Sequence, residues 1–372
     1  MSSETRTLTP SPSRHFAPDK ILAHADRVEE WLRTGICAPV TVEFDLTNRC
    51  GHRCPHCFGF ARERDASEMK ESVARDLLRQ LRDLGARGLT FTGGGDPLLH
   101  PAAARLVSFA AELGLDVGFI TNAQALSQEA ADVLMARCVW VRVSLDAATP
   151  RMFQLTHGAG EAEFERVKAN IRLLARRKQE TGGVATLGVG FLTSEATREE
   201  AYAFARLGRE LGADYAQYRP LLRWKQDRTV DYGGAGVLSE IARAKRDFSC
   251  PEYRVVGSEH KYRLIEEGRI QRAYRACHGR HFAAVVSADL KMYLCCHMRG
   301  MEKYVIGDLS RQSVREAWNS ALREQVGLGV DFRDCPPLCR CDAFNVVLED
   351  VRAGRTQMRP PEGTEWEHKN FI

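Results

Sequence analysis

The sequence predicts an α/β protein: a partial (β/α)6 barrel of the TIM type followed by a small C-terminal β-hairpin/helix domain that carries many of the cysteines. Three observations predict it. Short apolar runs alternate six times with stretches of helical period between residues 41 and 221, the signature of parallel strands joined by crossover helices. Cys, Gly, Asn, Asp and Arg collect just after those runs, at the strand ends where barrels of this kind place their chemistry. After residue 276, six of the chain's 12 cysteines surround one candidate hairpin.

Residues 1–17 are polar, with Ser and Pro, and lack the apolar centre of a secretory signal, so they read as a disordered tail. The N-terminal helical region, 18–40, holds an amphipathic helix over 20–35 (Ile21, Leu22, Val28, Trp31, Leu32) that stops at Gly35 and is expected to cover one end of the barrel. The barrel, 41–221, starts with a strand over 41–46. Helix 68–84, with Val73, Leu77, Leu81 and Leu84 at helical spacing before Gly85, leads to strand 89–92. Helix 102–113 leads to strand 116–121, helix 128–135 to strand 139–145, helix 161–177 to strand 184–192, and helix 198–211 to strand 214–218. In 222–275 the alternation fades into a charged, irregular connection (Arg223, Trp224, Lys225, Tyr232), expected as the joint between domains and part of the substrate mouth. The C-terminal domain, 276–345, has strands 283–287 and 291–294, a turn at 288–290 and a helix over 314–322, and 346–372 reads as a tail.

A chain of 372 residues, 44% hydrophobic, can bury a large core. It has no run of about 18 apolar residues that would span a membrane. A net charge of +4 from 53 basic and 49 acidic residues is too balanced to argue for a nucleic-acid partner. Many cysteines without a secretory signal point to metal ligation in a reducing, cytoplasmic setting.

The densest chemistry lies in Cys50, Cys54 and Cys57, spaced C-x3-C-x2-C directly after the first strand. Three thiolates in one short loop suit three corners of a [4Fe–4S] cluster and leave the fourth iron open. A zinc site would need a fourth ligand, and His52 or His56 is available. The run Gly93-Gly94-Gly95-Asp96-Pro97 ends the second strand, where glycines let backbone approach a ligand and carbonyls and a carboxylate can accept from an ammonium group.

With these two segments together, the chain resembles the radical S-adenosylmethionine (SAM) superfamily. Its C-x3-C-x-Φ-C signature has His56 at the usually aromatic position, and Gly94-Gly95-Asp96-Pro97 matches its G-G-E-P pattern with Asp for Glu. The resemblance implies a cluster held by Cys50, Cys54 and Cys57 and SAM chelated at the open iron. It implies that the glycine run holds the SAM amino group. It also implies Ser144 and Asp146 near the ribose or carboxylate, Asn122 close by, and Arg219 paired with the carboxylate. Where many relatives carry an arginine about a dozen residues after the serine, this chain has Thr156-His157.

The C-terminal cysteines resemble the twitch domain, a reduced SPASM domain, with Ile306-Gly307-Asp308-Leu309 and Glu316-Ala317-Trp318-Asn319 matching its pattern. That implies one auxiliary [4Fe–4S] cluster on Cys277, Cys295, Cys335 and Cys339, with Cys296 or Cys341 able to replace a neighbour and structural zinc as the alternative. Leu290 replaces the family glycine before the second cysteine. Cys37, Cys138 and Cys250 read as incidental thiols, with Cys250 the one candidate hydrogen-atom donor.

The resemblance implies a SAM-derived 5′-deoxyadenosyl radical that abstracts hydrogen from substrate, and a reducing partner such as flavodoxin or ferredoxin. A small polar substrate (sugar, aminocyclitol or nucleoside) undergoing dehydrogenation is the expected reaction, because the roughly 40 residues before the first strand are few for a peptide-recognition domain. Epimerisation, sulfur or carbon insertion, peptide maturation and RNA modification are the alternatives. The C-terminal Trp366 to Phe371 reads either as a frayed end or as a flap over the active site.

Overall fold

The computed structural model describes residues 17–57, 66–223, 227, 229–272, 274–358 and 365–372. The tail expected over 1–17 lies outside the described residues except for Ala17, as do Trp224 and Lys225. A 3-10 turn, Pro18–His24, leads into α1 (Ala25–Thr34), which ends at Gly35 with φ 79°, its amide donating to the Trp31 carbonyl. The barrel follows as β1 (Thr41–Asp45), α2 (Glu71–Leu84), β2 (Gly88–Thr92), α3 (Ala103–Glu112), β3 (Asp116–Thr121), α4 (Gln128–Arg137), β4 (Trp140–Ser144), α5 (Pro150–His157), α6 (Glu161–Thr181), β5 (Thr186–Thr193), α7 (Ala201–Glu210) and β6 (Tyr215–Arg223). β1 to β6 pair in sequence order and in parallel.

Each strand alternates faces, as a period of two requires. Val42, Phe44, Leu89, Phe91, Val117, Phe119, Val141, Val143, Leu187, Val189 and Phe191 are fully buried in the core beneath the helices. Phe44, Phe91 and Phe119 pack ring to ring at 5.9 and 6.1 Å. The intervening positions, Glu43, Asp45, Thr90, Arg142, Ser144, Gln217 and Arg219, face the bore, and Arg142 reaches Gln217 across two strand spacings at 2.9 Å. β5 puts Gly188 and Gly190 on that face. A Cβ at Gly188 would lie 2.1 Å from the Tyr215 ring.

The connection expected to be irregular is largely regular. It holds β7 (Thr229–Asp231), α8 (Ala235–Phe248), β8 (Arg254–Gly257) and α9 (Glu259–Glu266), and β8 adds a further parallel strand beside β6. The cysteine-bearing region contributes β9 (Ala283–Val286), β10 (Lys291–Tyr293), β11 (Val305–Asp308), α10 (Val314–Trp318) and α11 (Ala321–Leu328). The hairpin turns through Leu290 at φ 63°, the left-handed conformation in which a glycine is free of Cβ strain. β9 pairs in parallel with β1, Thr41 opposite Ala283, so the hairpin continues the barrel sheet.

The segment expected as a tail begins inside α12 (Asp342–Arg352), which packs its Phe344, Val347, Leu348 and Val351 against Ile21, Val28 and Trp31. Residues 365–372 do not cover the strand ends that carry the cysteine loop. They close the opposite end of the barrel, where Phe371 meets Trp140 edge to face at 5.2 Å and the Asn370 carbonyl accepts from Thr41 Oγ1 at 2.6 Å. Lys20 and His24 hold the backbone of Lys369 and Phe371 from below, so the N-terminal turn and the last residues together cap that end.

Candidate active site

β1 ends in the cysteine loop, and its neighbour β2 ends in the glycine run, so parallel pairing brings the two motifs side by side. Gly95 N donates to Thr47 O at 2.9 Å and Asp96 N to Arg49 O at 2.8 Å. The glycines are needed for this approach: a Cβ at Gly94 would sit 1.9 Å from Asn48 Oδ1, and one at Gly95 would sit 2.0 Å from Arg49 O. Gly93, at φ 150°, lies against Asp45. The close approach expected toward a ligand is thus made first toward the cysteine loop.

Asp96 also differs from expectation. Its buried carboxylate accepts from Thr121 Oγ1 at 2.8 Å, Asn122 N at 2.6 Å and Leu98 N at 2.9 Å, tying the β2 loop to the end of β3. Burial pushes its carboxyl upward against those hydrogen bonds. With its oxygens engaged inside the protein, Asp96 ties the glycine run to the end of β3.

The three loop cysteines share one environment. Burial raises the Cys54 thiol, and the Cys57 and Cys50 charges add to it. Asn122 Nδ2 lies 3.6 Å from Cys50 Sγ. Such destabilisation of the Cys54 thiolate, with no disulfide formed, is what a cationic iron centre would relieve. His52 and His157 approach at 3.1 Å between Nδ1 atoms, and His157 Nδ1 lies 3.5 Å from Cys54 Sγ while its Nε2 meets Leu145 O at 3.0 Å. With Cys54 this pair forms a group of three possible metal donors, two histidines and one cysteine, a different set from the three cysteines and one histidine of the zinc alternative. His157 comes from α5, which the sequence reading omitted although Thr149 caps it and Pro150 opens it.

Across the rim, Ser144 ends β4 opposite Gly190, and Asp146 follows at φ 48° with Oδ1 accepting from Leu192 N at 2.7 Å. Burial raises the Asp146 carboxyl, opposed by His56 and Arg219. Burial lowers His56, which Asp146 partly offsets. The structure therefore brings His56, Asp146 and Arg219 within electrostatic reach of one another. Cys250 lies at the N-terminal end of β8, beside Tyr253, on the rim away from the cysteine loop.

The second site is a cavity of about 600 Å³, open solvent included, at the β9–β1 junction. Cys277, Cys295, Cys296, Cys335, Cys339 and Cys341 all line it, with His297. Burial pushes Cys277 up to about 12, with Cys295 and Cys339 contributing. Cys335 is raised by burial and then by Cys339, Cys295 and Cys277. All six thiols crowd together: Cys295, Cys296 and Cys339 lie 3.8, 3.7 and 3.6 Å from His297 Nδ1, and Cys341 donates its amide to Cys339 Sγ at 3.4 Å. The donor set fits an iron–sulfur cluster.

Sequence reasoning missed what joins the two sites. Arg299, after β10, reaches into the bore, with Nη2 at 2.9 Å from Glu43 Oε2 and Nε at 2.5 Å from Asp45 Oδ2. Arg340, between Cys339 and Cys341, pairs with the other Glu43 oxygen. Two acids alternating with apolar residues in β1 were the available signal.

Comparison with known proteins agrees with this geometry. The Radical SAM superfamily profile matches residues 44–205, and that of an iron–sulfur cluster-binding domain, SPASM, matches residues 277–342. The chain belongs to the radical SAM superfamily. Mycofactocin maturase MftC of Mycobacterium tuberculosis (strain H37Rv) is 28% identical over 188 residues, 50% of this chain and 46% of that protein. The matched part spans about a third to a half of the length of the mycofactocin maturases. The AdoMet-dependent heme synthase of Methanosarcina barkeri (strain Fusaro / DSM 804) is 24% identical over 312 residues, 76% of this chain and 83% of that protein. The crystal structure of Streptococcus suis SuiB bound to its precursor peptide SuiA superposes with a TM-score of 0.63 at 13% identity, covering 81% of this chain and 70% of that one. This radical SAM enzyme therefore has the fold of that structure and two implied clusters. Among the described residues no helix is long and apolar enough to cross a membrane.

Proposed function

We propose that this radical SAM enzyme matures a peptide by oxidising one of its residues inside the barrel bore. The observation that carries the reading is the similarity of a third to a half of the chain to the mycofactocin maturases. Relatives weigh toward this alternative over the small polar substrate expected from the sequence. The geometry suits an oxidation, because the cysteine loop and the auxiliary cavity both rest on β1 and a substrate in the bore lies between them.

In this reading Cys50, Cys54 and Cys57 hold one cluster, and Cys277, Cys295, Cys335 and Cys339 hold the other. When bound, the first supplies the electron that splits SAM, and the second supplies an acceptor for an electron from the oxidised substrate. His56, Gly93, Gly94, Gly95, Asn122, Ser144, Asp146 and Arg219 bind or orient SAM, with Asp96 holding the glycine run in place. A flavodoxin or ferredoxin in a reducing cytoplasm is the electron donor.

The long alignment with the heme synthase favours a second reading, a non-peptide substrate. Anaerobic reconstitution with peptides encoded beside the gene tests both. Peptide-stimulated 5′-deoxyadenosine formation with a peptide two hydrogens lighter supports maturation. Turnover stimulated by small non-peptide acids alone moves the assignment to the second reading.

A further inference from the structure

The bore contains more positive charge than its acids engage. Glu43 and Asp45 are taken by Arg299 and Arg340, which leaves Asp146 as one buried acid within electrostatic reach of the two cations Arg142 and Arg219. Arg142 is left with one neutral partner, Gln217 Oε1, and its buried Nε has no hydrogen-bond partner among the described residues. The buried Nε of Arg219 is likewise unpartnered. Both side chains pass beside Gly190 of β5, where a Cβ would stand at contact distance, 3.4 Å from Arg219 Nη2 and 3.8 Å from Arg142 Cδ. A third cation, Lys261, stands in the first turns of α9. Its neighbour Tyr262 anchors that helix over the end of β5 through Thr193 Oγ1 at 2.8 Å. Lys261 lies within electrostatic reach of Arg219 and of Cys339, Cys341 and Asp342.

These cations form two layers. Ser144 and Arg219 stand at the rim, where SAM is expected. Arg142 and Gln217 lie two residues deeper, about 7 Å along the strands. The floor below is aromatic: Arg142 stands 5.8 Å from the Trp140 ring, which Phe371 covers from beneath. Burial first, and the Arg219 charge second, lower the Arg142 guanidinium to about 9. Cations held together in a water-poor bore are costly unless an anion completes the site. A planar guanidinium matches a carboxylate.

We propose that Arg142 binds a carboxylate of the substrate in the bore between the two cysteine sites. The inference deepens the peptide reading and rests on it for the kind of molecule that carries the acid. A peptide offers such a group at its C-terminus or on an Asp or Glu side chain.

The test uses the full-length, anaerobically reconstituted enzyme with SAM. Binding is measured for N-acetylated tripeptides as free acids and as C-terminal amides, for capped tripeptides with central Glu or Gln, and for glutarate. A preference of tenfold or more for the acid of at least one pair is expected, as loss of a charge-assisted contact in a dry site would produce. Free acid over amide identifies the C-terminus as the source, and Glu over Gln identifies the side chain. R142Q should remove the preference while amide affinity holds, and R142K should keep part of it.

Equal affinity within both pairs, or a preference that survives R142Q, overturns the carboxylate site while leaving the peptide reading standing. Arg142-dependent binding of glutarate with no binding of any peptide overturns the peptide reading and keeps the site. Failure of every probe to bind overturns the site.

Discussion

Replacing Arg299 by Met should separate the two halves of the site energetically. The guanidinium meets Asp45 at 2.5 and 3.0 Å and Glu43 at 2.9 Å, with Asp45 fully buried and Arg299 9% exposed. R299M keeps the bulk and removes the charge. Glu43 retains Arg340, but Asp45 is left with the Gly94 amide as its remaining donor. Breaking a buried pair from one side costs about 3–5 kcal/mol, because the orphaned charge stays desolvated. At about 2–4 °C per kcal/mol for domains of 150–250 residues, the apparent unfolding midpoint should fall by roughly 6 °C or more.

The D45N/R299M double variant should regain a large part of the loss, since no unpaired ion then remains. Burial already pushes the Asp45 carboxyl up to about 6, opposed by Arg299. Its native form therefore holds a proton that the unfolded chain has lost, and stability falls as pH rises from about 4 through 6. Without Arg299 that value rises further, so the R299M deficit should shrink at pH 5 relative to pH 8. Thermal unfolding of the reconstituted holoenzyme, monitored by circular dichroism, reads R299M, D45N and the double variant. A deficit below about 1 kcal/mol, or strictly additive single variants, would refute the reasoning.

Other measurements follow from the same structure. Each of C277A and C335A should cost about four irons per chain in anaerobic reconstitution, and C296A should leave the count at about eight, since in this reading the auxiliary cluster takes its four thiolates from Cys277, Cys295, Cys335 and Cys339. Deleting 366–372 removes the Phe371–Trp140 contact and the anchors on Thr41, so unfolding should move down by about 2–4 kcal/mol. Burial lowers His24 to about 4, its Nε2 donating to Lys369 O at 2.9 Å and its Nδ1 accepting from Arg87 at 2.8 Å. The unfolded chain therefore protonates first, stability falls as pH drops from 6.5 toward 4, and H24Q should flatten that part of the stability profile.

The elements that carry function were the more legible ones. β3 is predicted to the residue, because a buried strand between two good turns has no competing period. The cysteine loop and the glycine run announce themselves by spacing. α8 and β8 do not: among their residues only Val237, Ala244, Val255 and Val256 are buried, so charged surface positions dominate the pattern. Asp96 looked like a ligand because a carboxylate after glycines can accept from outside. Only the fold shows Thr121 and Asn122 arriving from β3 to occupy it. Arg299 and Arg340 are about 250 and 300 positions from Asp45 and Glu43, and local patterning holds no information on such a pairing.

β1 explains why the cysteine-bearing region is more than an appended module. Its end places Cys50, its inward residues receive Arg299 and Arg340, and its free edge takes β9 in parallel. On the outside, Val314 N donates to Gln80 Oε1 at 2.8 Å and Arg315 to Asp83 O at 2.7 Å, clamping α10 onto α2. Trp318 Nε1, fully inside, donates to Cys37 O at 2.9 Å. Each of these contacts spans the nominal domain boundary near residue 276, and none of them survives separation of the two parts. A strand edge stripped of β9 would expose unpaired backbone along an apolar sheet, the arrangement proteins avoid. The distance between the two cysteine sites is therefore fixed by one continuous sheet, which is the condition for a substrate in the bore to meet both.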